Sequence, residues 1–187
     1  ILITLMHANN ETGTIQPIAE VGALARERGI LFHTDAAQSA GKIRTKVEEL
    51  QVDLLNVAGH KFYAPKGVGA LYVRSGTPLV PLIHGAGHES GRRAGTENVA
   101  LIVGLGKAAE SAEREGERRA DGLQAVRDQL HTRISASVEG VHLNGHSTLR
   151  LPNTLNLRFD RILGEDLLEA VPEVAASTGS ACHAGSH

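Results

Sequence analysis

Three apolar runs of the chain end in the same way. "ILITLMHA" (1–8), "ILFHTDAA" (30–37) and "VDLLNVA" (52–58) each give way, on their C-terminal side, to polar residues that packing does not require. Short runs rich in Leu, Ile and Val read as strands. Between the first two lies "IAEVGALARERG", with apolar residues at helical spacing and Gly29 placed to cap the C-terminus. The third run is almost continuously apolar, as a parallel strand covered on both faces is. "GVGALYVR" (67–74) reads as a fourth strand. Strand, helix, strand, loop, strand is the order of an α/β layer with a mostly parallel sheet flanked by helices.

The rest of the chain follows a different pattern. A long helical stretch runs from Glu97 to about Val138, apolar at first and heavily charged in the middle. The charge run is expected to be a solvated face, with bends at Gly116 and Gly122. "VHLNG" and "TLNLRF" read as strands, "GEDLLEAV" as a short helix, and "VAASTGSAC" as a strand running into a loop. The boundary is set at Gly140. A partial large domain with its connecting helix is expected over 1–139, and part of a small α+β domain over 140–187. The chain opens at Ile1 inside an apolar run and closes on the small residues of "STGSACHAGSH", so it is expected to be an internal piece of a longer protein.

Composition narrows the classes of function. A net charge of −2 opposes nucleic-acid binding, which needs a concentrated basic surface. No run approaches the roughly 18 apolar residues of a membrane span, so no membrane partner is expected. Cys182 is the sole cysteine, which excludes an internal disulfide and fits a reducing compartment. A cytoplasmic protein is expected.

The polar strand ends carry the chemistry. His7, Asn9 and Asn10 follow the first run, His33, Asp35 and Gln38 belong to the second, and His60 and Lys61 follow the third. Ligands of open α/β sheets sit at the C-terminal ends of strands, so these residues suggest one pocket. Alone, Asp35 reads as a helix cap and Lys61 as a surface charge. Together they offer a carboxylate that can hold a pyridine nitrogen protonated and an amine that can condense with an aldehyde. These are the two protein anchors of pyridoxal 5'-phosphate. No P-loop is present. The His84/His88 pair of "HGAGH" is not expected to bind metal, because the intervening glycines oppose the helix that would align the two rings.

At this point six ordered motifs, "HANNETGTIQPI", "LFHTDAAQSAGK", "GHKFYAPKGVGALYVR", "GAGHESGRRAGTENV", "LPNTLNLRF" and "STGSACHAG", resemble those of the cysteine desulfurases. These are class V aminotransferase-like, fold-type I pyridoxal-phosphate enzymes, closely related to the selenocysteine lyases. The resemblance covers essentially the whole chain. It implies that Lys61 anchors the cofactor covalently, that Asp35 pairs with the pyridinium nitrogen, and that Gln38 binds the ring hydroxyl. It further implies His60 on the phosphate side, Asn10 near the ring and substrate carboxylate, and Thr96 reaching the phosphate of a partner subunit, hence a homodimer. Cys182 matches the cysteine that takes sulfur from the substrate. One position departs: Ala58 stands where the family usually has a phosphate-binding Ser or Thr. The family's upstream phosphate loop and substrate-carboxylate arginine have no match in this chain.

The implied function is desulfuration of L-cysteine to L-alanine, with a persulfide on Cys182 passed to sulfur-acceptor or scaffold proteins of iron–sulfur cluster or thiolation pathways. A selenocysteine lyase acting on L-selenocysteine is the alternative, since "ACH" and "LPNT" also look like that group. A non-catalytic fragment or binding subunit is the alternative of another class.

Overall fold

In the computed structural model, which describes residues 1–180, the apolar runs become strands of one sheet. β1 (Leu2–Met6), β2 (Leu31–Asp35), β3 (Leu54–Ala58) and β4 (Gly69–Val73) lie side by side in that order. β1–β2 and β2–β3 are parallel, and β3–β4 is antiparallel. The parallel register aligns Met6 with Asp35 and Asp35 with Asn56, which brings the polar strand ends level. Helix α1 (Ile18–Glu27) forms the crossover from β1 to β2. Gly29, at φ +60°, ends it.

The core lies on the α1 side of the sheet. Ile18 and Ala25 of α1 meet Phe32, Ala36, Val52 and Leu55, with Ile3, Leu5 and Val57 packed around them. Phe32 is fully buried, and such a side chain contributes about 1.5–3 kcal/mol. Gly22 lets α1 approach the next turn: a Cβ there would lie 2.6 Å from the Leu50 carbonyl oxygen. That turn is the short helix α2 (Val47–Leu50), which the periodicity of so few residues does not announce. The buried Thr34 hydroxyl donates to the Leu5 carbonyl at 2.9 Å, so it adds no unsatisfied polar group.

Beyond β4 the chain passes through a loop holding the single turn α3 (His88–Gly91), in which Glu89 and Ser90 take left-handed backbone angles. Helix α4 (Val99–Ser137) then runs unbroken for 39 residues. Gly116 and Gly122 lie within it without ending it; an interior glycine costs only about 1 kcal/mol. The charged middle is solvated and laced with pairs such as Lys107–Glu110 and Arg114–Glu110.

The described chain falls into two compact units: Ile1–His7 with Pro17–Glu117, and Ala8–Gln16 with the residues from Arg118 onward. In the second, β5 (Val141–Leu143) pairs antiparallel with β6 (Leu157–Phe159), and α5 (Gly164–Ala170) follows. Arg127 of α4, whose side chain is buried, donates to the Leu151 carbonyl at 2.7 Å, and the Leu151 amide donates to the Gly13 carbonyl. The segment expected as a strand in "VAASTGSAC" forms none over 174–180. Its backbone–backbone bonds there are local turns, Val174 N–H to Val171 and Ala176 N–H to Val174, and no strand among the described residues pairs with it. No helix among the described residues is long and apolar enough to cross a membrane.

Candidate active site

The sheet face opposite the core carries a polar chain. Asn56 Nδ2 donates to Asp35 Oδ1 at 3.0 Å, and Asn56 Oδ1 lies 2.8 Å from His33 Nε2. His33 Nδ1 in turn lies 2.7 Å from the Thr4 hydroxyl. One consistent set of donors runs Thr4 O–H to His33, His33 N–H to Asn56, Asn56 N–H to Asp35. Asp35 Oδ1 also accepts the Ala37 amide at 2.8 Å, which folds the chain after β2 into a turn. Oδ2 has no hydrogen-bond partner among the described residues. A carboxylate with one oxygen fixed and the other open is what a protonated ring nitrogen requires, so Asp35 fits a pyridinium cofactor.

The turn after Asp35 is tightly made. Ser39 and Ala40 amides both donate to the Ala36 carbonyl, and Ser39 is fully buried. Lys42 Nζ reaches back to the Gln38 carbonyl at 2.9 Å and closes the turn. Burial, and secondarily the nearby Lys61 charge, push the Lys42 amine below the usual lysine range.

Lys61 sits on a 3-10 turn, Gly59–Phe62, that follows β3 without a spacer. Gly59 makes the turn possible: a Cβ would lie 2.7 Å from the Val68 carbonyl oxygen and 3.0 Å from the Ala64 Cβ. The Gly59 amide donates to Val68 O, and its carbonyl accepts from Ala64. Phe62 is buried with Ala40, Ala64 and Ala108, so it pins the turn while His60 and Lys61 stay exposed. Gly41, at φ +74°, presses on Phe62, and a Cβ there would lie 2.8 Å from the Phe62 Cβ. The turn bearing Gln38 is therefore docked on the turn bearing Lys61.

His7 lies at the end of β1, where its amide extends the ladder to the Asp35 carbonyl at 2.8 Å. Its ring is buried with Nδ1 unpartnered among the described residues, and burial holds its pKa below the ordinary value of 6.5. Thr96 is exposed in the loop before α4 and makes no hydrogen bond to Asp35, Gln38, His60 or Lys61 among the described residues. Asn10 belongs to the second unit, in a loop folded around Asn9, whose Oδ1 accepts the amides of Glu11 and Thr12 at 3.0 and 2.8 Å. Cys182 lies outside the described residues. Asn56, Thr4 and Lys42 were not anticipated from the sequence as parts of the site. The one available signal was a lone amide, Asn56, inside an otherwise apolar run. Among the described residues no group of three or more His, Cys, Asp or Glu side chains is arranged to hold a metal ion.

The aminotransferase class-V family model matches residues 1–187. The chain is 50% identical to the cysteine desulfurase IscS of Dictyoglomus turgidum, over 100% of this chain and 48% of that protein. Among solved structures, a NifS-like protein superposes with a TM-score of 0.86 at 40% identity, covering 92% of this chain and 47% of the other. SspA in complex with cysteine superposes with a TM-score of 0.77 at 40% identity, covering 99% of this chain and 51% of that one. The chain spans about half the length of the curated relatives it matches.

Proposed function

Because the chain belongs to the aminotransferase class-V family, we propose that it works within a pyridoxal-phosphate-dependent cysteine desulfurase. The desulfurase named among its relatives and the cysteine complex of a structural neighbour support this reading. The observation that carries it is the docking of the Asp35–Lys42 turn on the Gly59–Phe62 turn, which leaves a carboxylate and an exposed amine at the ends of two adjoining strands.

Bound here, the cofactor supplies an electron sink for the carbon skeleton of an amino acid. Asp35, steadied by Asn56 and the Ala37 amide, holds a proton on the ring nitrogen through its open oxygen. Lys61 would hold the aldehyde covalently before substrate binds and, as a free amine afterwards, would take and return a proton at the substrate Cα. Gln38 would hold the ring hydroxyl and His60 the phosphate side. Asn10 would orient the ring and the substrate carboxylate. Thr96 would reach the phosphate of a partner subunit in a homodimer. Ala58 offers no hydroxyl to the phosphate, so the phosphate depends on the remaining donors. The Cys182 thiolate attacks the substrate sulfur. An S–S bond forms and the Cβ–S bond breaks. The electron pair stays with the carbon fragment, which takes a proton and leaves as L-alanine. Cys182 retains the extra sulfur as a persulfide for a protein acceptor. The residues 1–139 serve as part of the large domain and 140–187 as part of the small one, in a cytoplasmic enzyme.

The test is to incubate the full-length protein with L-cysteine and to measure L-alanine together with the mass of the Cys182 peptide. Alanine released with one added sulfur on Cys182 is expected. Turnover of L-selenocysteine alone, with Cys182 unmodified, would replace this reading with the lyase.

A further inference from the structure

Within the second unit, one carboxylate joins two segments that are far apart in sequence. The Ser180 amide donates to Glu11 Oε1 at 3.3 Å, across 169 positions. Glu11 follows Asn10 directly, and Ser180 precedes Cys182 by two residues. Glu11 is itself held firmly. Its amide donates to Asn9 Oδ1, and its carbonyl accepts Asn156 Nδ2 at 3.3 Å. Asn156 is fixed by Asn144, whose side chain donates to Asn156 Oδ1 at 2.8 Å and whose amide donates to the Asn156 carbonyl at 2.9 Å, continuing the β5–β6 ladder.

The two residues before Ser180 are also placed by neighbours. Thr178 packs on the start of α5, where a Cβ at Gly164 would lie 3.0 Å from Thr178 Cγ2. Gly179 runs past Glu11 with no side chain between them, its would-be Cβ 3.9 Å from Glu11 Oε1. The strand pair, the Asn9–Thr12 turn and the chain leading to Cys182 thus meet at one acid.

We infer that Glu11 is a positioning residue for sulfur transfer: its carboxylate ties the chain entering Cys182 to the loop that carries Asn10. This rests on the desulfurase reading for its consequence, though not for its geometry. A hydrogen bond to a charged acceptor is among the stronger ones available to a backbone amide. Its loss releases the approach to Cys182 while leaving the Asp35–Lys61 turns, which lie in the other unit, as they are.

The test uses the full-length protein loaded with cofactor, with Glu11→Ala and Glu11→Gln as the variants. Amide hydrogen exchange at Ser180 is expected to rise about tenfold or more in Glu11→Ala and to stay near wild type in Glu11→Gln, which keeps a carbonyl acceptor. The rate of persulfide formation on Cys182 should fall by a similar factor in Glu11→Ala, with KM for L-cysteine and cofactor absorbance unchanged, and recover in Glu11→Gln. Unchanged exchange at Ser180 in Glu11→Ala overturns the tether whether or not the protein desulfurates cysteine. A faster Ser180 amide with an unchanged persulfide rate overturns the positioning role. A wild type that forms no persulfide refutes the desulfurase reading alone, and the exchange measurement still decides the tether.

Discussion

The two faces of the four-stranded sheet use the same strands for opposite ends. On the α1 side, Ile3 and Leu5, then Phe32, then Leu55 and Val57, are packed into the core, and the buried Thr34 hydroxyl is satisfied by a carbonyl. On the other side, at alternate positions of the same strands, Thr4, His33, Asn56 and Asp35 form a chain of hydrogen bonds ending at a carboxylate with an open oxygen. Strand alternation makes this possible, since successive side chains point to opposite faces. Parallel register then sets Asp35 beside Asn56 at the end where the Lys61 turn begins. The lesson is that the packed face carries stability and the polar face carries chemistry, so the two can be damaged separately.

That separation is open to direct attack. Lys61→Ala in the full-length protein should lower turnover of L-cysteine by about a thousandfold or more while moving stability by less than about 0.5 kcal/mol, because Lys61 is exposed and its turn is held by Phe62. Parallel kinetics and denaturant titration check this, and a large loss of stability would break the division. Phe32→Ala should do the reverse. It is expected to cost about 3–5 kcal/mol in a urea melt, with bound cofactor retained where the protein remains folded. Asn56→Ala tests the polar face itself. Removing one donor to Asp35 and the acceptor of His33 should cost about 1–3 kcal/mol and weaken cofactor affinity, read by equilibrium dialysis.

The smallest effect concerns His7, which belongs to neither arrangement. Burial depresses its folded pKa below 6.5, so the unfolded chain binds the proton more readily. Stability from this source is whole above pH 6.5 and is lost as the pH falls below it toward the folded value. His7→Gln, a neutral side chain, should flatten the stability profile below that pH. A profile as steep as wild type would assign the acid sensitivity elsewhere.

The packed face was legible in the sequence because the runs around Ile3, Phe32 and Leu55 are apolar over lengths that suit only strands. Helix α1 was legible from its spacing and Gly29, and the long α4 from its extent. The polar chain was less legible. His33 and Asp35 stand out in "LFHTD", but Asn56 acquires its meaning only when register sets it against Asp35 on the next strand. Lys42 has no local signal, since its part comes from a turn folding back on Gln38. Helix α2 is four residues long and shows no period. "VAASTGSAC" misled because it opens on a β-branched residue. A strand, however, needs a partner, and among the described residues Val174 makes only local turns, to Val171 and Ala176.

The central claim is that Lys61, held on its turn beside the Asp35 strand, is the covalent anchor of the cofactor. The full-length protein, loaded with pyridoxal phosphate, is reduced with borohydride, digested, and its peptides are weighed. The account predicts the reduced cofactor on the peptide containing Lys61 and no labelled peptide in Lys61→Ala. Label on Lys42 or another lysine, or label that persists in Lys61→Ala, would contradict it.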